Sequence, residues 1–354
     1  MKFPVDIIGV MSGTSLDGLD LCYTRFNCEG GKYSFKIIKA VTLPYEAKML
    51  SDLQNCRSLT NNDLIELHNH WGSYVGKAIN SHFIAQELIP DCISTHGHTV
   101  FHEPAAGYSL QIGSMENIAS ISNCMVIGDF RQLDVSKGGQ GAPLVPIGDL
   151  HLFSEFNYCL NLGGIANVSF VEEGAMKAFD ICPCNLVLNA YARKKGFDYD
   201  DAGHLAAAGS INQALLSDLN ALNYYQVKPR PSLGIEIIEF VFLPVLEKHT
   251  LSVEDVLCTF CHHIALQLAS IIKRNQTVLC TGGGAYNKFL LQCFKDAGIT
   301  IVVPDQEIIE FKEAVVFAFL ALRKLENKVN VLKSVTGAKE NSISGVVVQV
   351  SDLS

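Results

Sequence analysis

The chain contains no run of eighteen apolar residues, so nothing in its sequence asks to cross a bilayer. It also lacks a strongly basic stretch. Its 27 lysines and arginines are outnumbered by 36 aspartates and glutamates, and the formal charge of −9 speaks against nucleic acid as a partner. The glycine–lysine–serine ending of a regular P-loop is missing. His68, His70 and His82 have no carboxylates and histidines at zinc spacing around them, and Cys182 with Cys184 has no second cysteine pair to complete a metal site. The one tryptophan, Trp71, falls among Leu64, Leu67, His68, Val75 and Ala78 at helical spacing and reads as core. Cysteine, in contrast, is plentiful. The twelve are scattered through apparent strands and helices (Cys124, Cys159, Cys258, Cys280), which points to reduced thiols of a cytosolic protein serving as small apolar residues. The opening MKFPVDIIGV runs straight into the first expected strand, so it reads as fold rather than as a removable signal.

What is present is organised around Gly9 to Asp20, GVMSGTSLDGLD. Val5 to Val10 is an apolar, β-branched run, and Leu19, Leu21 and Tyr23 alternate with Asp20, Cys22 and Thr24 behind it. This predicts a hairpin. At its tip Ser12, Gly13, Thr14 and Ser15 offer unshielded backbone N–H groups and hydroxyls, with Asp17 and Asp20 beside them, a composition that suits phosphate oxygens and a hydrated cation and equally suits a plain polar turn. At 354 residues the length suggests two domains. Tyr33 to Leu43 continues as strand, and a helix capped by Asn61 or Asn62 follows.

Several strands then end in polar tips: Cys92 onward in THGHT, Leu110 to Ile112 in a glycine turn, and Cys124 to Ile127 in Gly128, Asp129, Phe130 and Arg131. In open α/β sheets ligands collect at such strand ends. After the glycine-dense DVSKGGQGAPLVP, Tyr158 to Leu162 leads through Gly163 and Gly164 into another strand, echoing the opening hairpin and suggesting that the second half repeats the first. In AFDICPCN, Asp180 stands at a strand end, where it can act as a general base or stabilise a turn. A long helix from Val253 to Lys273 precedes the strand Thr277 to Cys280 and then Gly282, Gly283, Gly284, which let a backbone approach a ligand closely. Asn287 begins a further helix, and the last long one is expected from Lys312 to Leu325, with Glu313 near its start.

The series MSGTSLDGLD, THGHTVFHEP, LQIG, DFRQLD, GGQGAPLVP, LNLGGIANV, FDICPCN, TGGGAYN and KEAVVFAFLAL, with VTGA at Val335 to Ala338, resembles in order and spacing the anhydro-N-acetylmuramic acid kinases of peptidoglycan recycling. The resemblance implies an α/β fold of two similar actin-like ATPase (ribonuclease H-like) domains with a cleft between them, placed at residues 1–155, with the tail 330–354 packing back, and 156–329. It implies ATP and Mg²⁺, a cytoplasmic homodimer, and an enzyme that opens the 1,6-anhydro bond with water while phosphorylating O6, giving N-acetylmuramic acid 6-phosphate. By the same resemblance Asp180 is the base. Ser12, Gly13, Thr14, Ser15, Leu16, Asp17, Gly18, Leu19 and Asp20 hold ATP phosphates, with Mg²⁺ near Asp17 held through phosphates and water. Gly163 and Gly164 face them, and Gly282, Gly283, Gly284, Ala285 and Asn287 border the adenosine. His96, Asp129, Arg131 and Glu313 line the sugar pocket.

This chain departs from the family pattern FDTGPGN at Ile181, Cys182 and Cys184, and carries His98 where glutamine is common. Three readings follow: an active kinase of the anhydro sugar, a kinase of the same fold acting on another amino sugar, and a non-catalytic nucleotide- or muropeptide-binding homologue silenced by the two thiols.

Overall fold

The computed structural model describes residues 2–13, 16–227 and 230–353. Among them run twelve strands: β1 (Val5–Ser12), β2 (Leu19–Glu29), β3 (Lys32–Leu43), β4 (Cys92–Glu103), β5 (Tyr108–Ile112), β6 (Val126–Gly128), β7 (Tyr158–Leu162), β8 (Ile165–Glu172), β9 (Ala175–Pro183), β10 (Thr277–Thr281), β11 (Thr300–Val302) and β12 (Val346–Val348). The chain divides into two compact units, one running to Leu152 and resuming at Phe311, the other Phe153–Glu310.

In the first unit the sheet order is β12-β6-β4-β1-β2-β3, with β5 beside β4. β1, β2 and β3 form an antiparallel meander, and β4 and β6 add in parallel. β1 lies centrally because VDIIGVMS is apolar on both faces. Ile8 and Val10 pack with Trp71, Val75 and Ile79 of the helix Asn61–His82. On the opposite face the helix Gln306–Leu325 comes so close that a Cβ on Gly9 would lie 1.9 Å from the Ala314 carbonyl oxygen. Only glycine permits that approach. Thr60 caps the helix Asn61–His82, accepting from Asp63 N at 3.3 Å, one residue ahead of the expected asparagine. His68 accepts from Gly113 N at 3.1 Å through Nδ1, a structural role.

The second unit's sheet runs β11-β10-β7-β8-β9. It is again a meander, β7 to β9, with two strands added in parallel on the far side of β7. The strand order of the first unit is thus repeated, and each half of the chain is an α/β layer structure, as the paired glycine hairpins suggested. Its core joins Leu160, Val168 and Val278 to Phe260 and Leu268 of the helix Val253–Ala269.

The division differs from the expected 1–155 and 156–329 in where the last long helix belongs. From Phe311 onward that helix packs with the first unit, because Ala314 abuts Gly9, Phe317 meets His96 edge-on at 4.8 Å and Phe319 meets Phe26 at 5.9 Å. It also starts at Gln306, six residues before the expected Lys312. All twelve cysteines are free, and no helix among the described residues is long and apolar enough to cross a membrane.

Candidate active site

In the first unit the opening hairpin turns between Ser12 and Leu19, and Thr14 and Ser15 lie outside the described residues. Leu16 N donates to Gly13 O at 3.2 Å, with Leu16 itself left-handed at φ 60°. Ser12 is buried. Its hydroxyl sits 2.6 Å from Tyr45 Oη and 2.9 Å from His98 Nδ1, so it braces the base of the turn. His98, the residue that departs from the family's glutamine, is therefore a buried partner of Ser12, and burial lowers its pKa. Of the other expected phosphate ligands, Asp17 is exposed, Asp20 accepts from Thr42 Oγ1 at 2.6 Å, and Leu19 is fully buried in the core.

β4 delivers His96, β6 leads to Asp129 and Arg131, and the helix Gln306–Leu325 delivers Glu313. His96 Nε2 accepts from Arg131 Nε at 3.1 Å and Nη2 at 2.8 Å, while Nδ1 lies 3.0 Å from Gly97 O. These partners fix a neutral ring protonated at Nδ1. Burial first, then the Arg131 charge, hold its pKa well below the ordinary histidine value. Arg131 Nη1 donates to Gly141 O at 2.7 Å. Of the five N–H groups of the guanidinium three are thus used, leaving one on each terminal nitrogen. Asp129 is left-handed at φ 52° and exposed, and its Oδ1 accepts from Gln132 N at 3.2 Å. Left-handed non-glycine residues gather at functional sites. Glu313 stands two turns into its helix, so it does not serve the helix N-terminus. Solvent reaches its side chain, yet the surrounding protein raises its pKa, Arg131 and Lys312 oppose that, and Asp20 adds to it. Glu313 is thus an accessible acid between a guanidinium and a second carboxylate. No three His, Cys, Asp or Glu side chains among the described residues converge as a metal cage. Asp17 and Asp20 suit Mg²⁺, which commonly takes one or two carboxylates and leaves its other positions to phosphate and water.

In the second unit Asp180 lies within β9 rather than at its end, and the strand runs on to Pro183. The register slips there: Asn167 faces Asp180 and Ala166 faces Cys182, so Ile181 is the extra residue of a bulge. Bulges re-aim side chains, often beside active sites. Asp180 Oδ2 accepts from Leu233 N at 2.8 Å and Ser232 Oγ at 3.1 Å, whereas Oδ1 takes no hydrogen bond from the described residues. Tyr224 donates its hydroxyl to Asp180 O at 3.1 Å, and Arg230 Nη1 reaches Ile181 O at 3.4 Å.

Ile181, Cys182 and Cys184 are all fully buried and belong to the core of this unit. Burial pushes the Cys184 thiol up to about 12 and the Cys182 thiol well above its ordinary value, so neither is a thiolate at neutral pH. Cys184 Sγ donates to Asn185 Oδ1 at 3.6 Å, and Asn185 Nδ2 to Leu162 O at 3.0 Å. The Gly163 and Gly164 carbonyls accept from Asn185 N at 3.2 Å and Cys184 N at 2.9 Å. Gly282, left-handed at φ 82°, fits against Leu162, where a Cβ would meet the Leu162 carbonyl oxygen at 2.9 Å. The ends of β7, β9 and β10 therefore meet around Leu162 and Asn185. Gly283 is the open glycine of the three; Gly284 and Ala285 are buried, and Asn287 Oδ1 is committed to capping the helix Lys288–Asp296 by accepting from Leu290 N at 3.0 Å.

Sequence reasoning missed Tyr45, Asn185, Arg230, Ser232 and Leu233. Asn185 stood inside the FDICPCN stretch and was open to notice. The pair that holds Asp180 comes from a loop some fifty positions later, whose prolines and glycine mark only a turn.

Residues 5–350 match the family described as anhydro-N-acetylmuramic acid kinase. A protein of that name from Pseudomonas savastanoi pv. phaseolicola is 31% identical over 366 residues, covering 96% of this chain and 98% of its own. Another from Clostridioides difficile is 31% identical over 372 residues, covering 96% and 97%. Among solved structures, the Acidaminococcus fermentans (R)-2-hydroxyglutaryl-CoA dehydratase component A is 14% identical with a TM-score of 0.47, covering 91% of this chain and 99% of its own. The activator of the 2-hydroxyisocaproyl-CoA dehydratase from Clostridium difficile with bound ADPNP is also 14% identical, with a TM-score of 0.41 and coverage of 91% and 97%.

Proposed function

The chain belongs to the anhydro-N-acetylmuramic acid kinase family, and on that footing we propose that Asp180 is the base of its reaction. The enzyme is an ATP-dependent phosphotransferase acting on 1,6-anhydro-N-acetylmuramic acid and yielding N-acetylmuramic acid 6-phosphate. One observation carries the role of Asp180: a bulge aims it, Oδ2 is tied down by Leu233 N and Ser232 Oγ, and Oδ1 takes no protein donor among the described residues. A carboxylate held this way can accept a proton at Oδ1 while the rest of the group stays still. Water adds its oxygen to the anomeric carbon and gives its proton to Asp180, the bond from that carbon to O6 breaks, and O6 attacks the γ-phosphorus with ADP leaving. General-base assistance of this kind supplies about 10²–10⁴ in rate.

Arg131 presents its two remaining N–H groups to the lactyl carboxylate of the sugar, an end-on fork that a lysine cannot reproduce. His96, Asp129 and Glu313 complete this sugar-binding group. Gly13 and the turn 16–18 take the nucleotide phosphates, and the open Gly283 borders the adenosine. Mg²⁺, beside Asp17 and Asp20, supplies charge neutralisation on the phosphates. The twelve free thiols support a cytoplasmic, reducing location. A homodimer is part of the same proposal, and the mass of the purified protein by light scattering tests it.

Conversion of the purified anhydro sugar by the enzyme with ATP in ¹⁸O-water tests the mechanism. The expected product carries a phosphate and one ¹⁸O at the anomeric carbon, and Asp180→Asn forms it at least about a hundredfold more slowly. Unimpaired turnover by that variant would remove Asp180 from the role.

A further inference from the structure

Two motifs have no part in the reaction so far, the glycine-rich loop that follows Arg131 and the Val335–Ala338 segment near the C-terminus, and they meet at one buried carboxyl group. Asp134, on the short helix Gln132–Ser136, has 0% exposure, and no cationic side chain pairs with it among the described residues. Each of its oxygens accepts one hydrogen bond: Oδ2 from Gly141 N at 2.9 Å, Oδ1 from Thr336 Oγ1 at 2.8 Å. Thr336 O in turn accepts from Gln140 N at 2.8 Å. The loop is drawn so tightly over this group that a Cβ on Gly139 would stand 2.1 Å from Asp134 Oδ2.

Burying a carboxyl group without a cation is expensive, and the cost is lowest when both oxygens are satisfied by well-aimed donors. The benefit falls on the next group outward. Gly141, whose N–H is gripped by Asp134, is also the residue whose carbonyl oxygen receives Arg131 Nη1 at 2.7 Å. His96 holds one edge of the guanidinium, Gly141 the other, and the two free N–H groups are thereby aimed.

We infer that Asp134 and Thr336 are positioning residues that set the Arg131 guanidinium for the carboxylate of the sugar. The inference rests on the reading of Arg131 given above. Thr336 acts on the substrate through Asp134, Gly141 and Arg131, and so belongs to the specificity of the enzyme.

The test is steady-state kinetics on the full-length enzyme for Thr336→Val, Thr336→Ser, Asp134→Asn, Arg131→Ala and the Arg131→Ala/Thr336→Val pair. Thr336→Val should raise the KM for the anhydro sugar about tenfold. The KM for ATP should stay within about twofold, and Thr336→Ser, which keeps the hydroxyl, should restore the sugar KM. Asp134→Asn should shift the sugar KM in the same direction, and supplies the test if Thr336→Val does not fold. In the Arg131→Ala background Thr336→Val should have no further effect. An Arg131→Ala enzyme with an unchanged sugar KM overturns the reading of Arg131 and the inference with it. If Arg131→Ala raises that KM while Thr336→Val leaves it alone, or Thr336→Val raises both KM values alike, the inference alone falls.

Discussion

Glycine is what the family pattern carries at positions 182 and 184, so restoring it is the direct way to ask whether the two thiols silence the enzyme. The structure answers that they do not stand in its way, because both side chains have 0% exposure and face the core of the second unit. Each cysteine-to-glycine change removes a methylene and a sulfur from a closed site, a transfer loss of about 1.5 kcal/mol at about 0.8 kcal/mol per buried group. A residual void on the order of 40 Å³ adds about 1 kcal/mol, and glycine within the strand at position 182 adds about 0.5–1 kcal/mol in backbone entropy. The double variant should therefore lose about 5.5–6 kcal/mol, comparable to the lower end of a domain's whole stability. Urea unfolding followed by circular dichroism measures this, with the Cys182→Ala and Cys184→Ala variants, which keep Cβ, expected to lose about half as much. Turnover per folded molecule should not rise. If the double-glycine enzyme unfolds within about 1 kcal/mol of the parent and turns over tenfold faster, the thiols reach the reacting groups and the reasoning from burial is refuted.

The remaining predictions concern stability. His263 is fully buried, with Nε2 2.7 Å from Tyr225 Oη and Nδ1 2.8 Å from Asn220 Oδ1, and burial lowers its pKa from 6.5 to about 3. Between those values the unfolded chain binds the extra proton, so stability rises with pH there and is lost as pH falls from about 6.5 towards 3. The loss from this group alone is about 2 kcal/mol between pH 7 and pH 5, in the same direction as that of His151, lowered to about 4, and of His96. Denaturant midpoints at the two pH values measure it, and a flat profile would count against a neutral His263. For Gly9→Ala, the added Cβ meets a backbone carbonyl rather than a movable side chain, so the cost should reach at least the usual 1–3 kcal/mol of overpacking. An unchanged melting temperature would contradict the close seating of β1 on its helix.

Much of the fold was legible because its signals are local. Alternating residues on either side of GVMSGTSLDGLD gave the hairpin, helical spacing around Trp71 gave its helix, and the second strand–glycine–strand unit announced the repeat. Sequence order carries no information about which sheet a helix covers, so the last long helix follows the second half in sequence yet packs with the first; the contacts of Ala314, Phe317 and Phe319 place it there. At the candidate site the polar strand ends were visible, but the division of labour among them was not. Ser12 and Asn287 look like ligands in sequence and are occupied as a brace and a cap, while the groups that hold the Asp180 carboxylate come from a remote loop. The FDICPCN departure looked chemical and proves to be a matter of packing, since alternation along a strand decides which residues face inward only once the bulge at Ile181 is known.

The seating of Gly9 against Ala314 also has a meaning in time. A chain made from its N-terminus produces the central strand of the first unit before the second unit and most of the helix that covers that strand after it, whereas Phe153–Glu310 is a single uninterrupted stretch. The strand translated first thus keeps one apolar face without its native cover until nearly all of the second unit has left the ribosome. The half of the molecule that begins first is obliged to finish second.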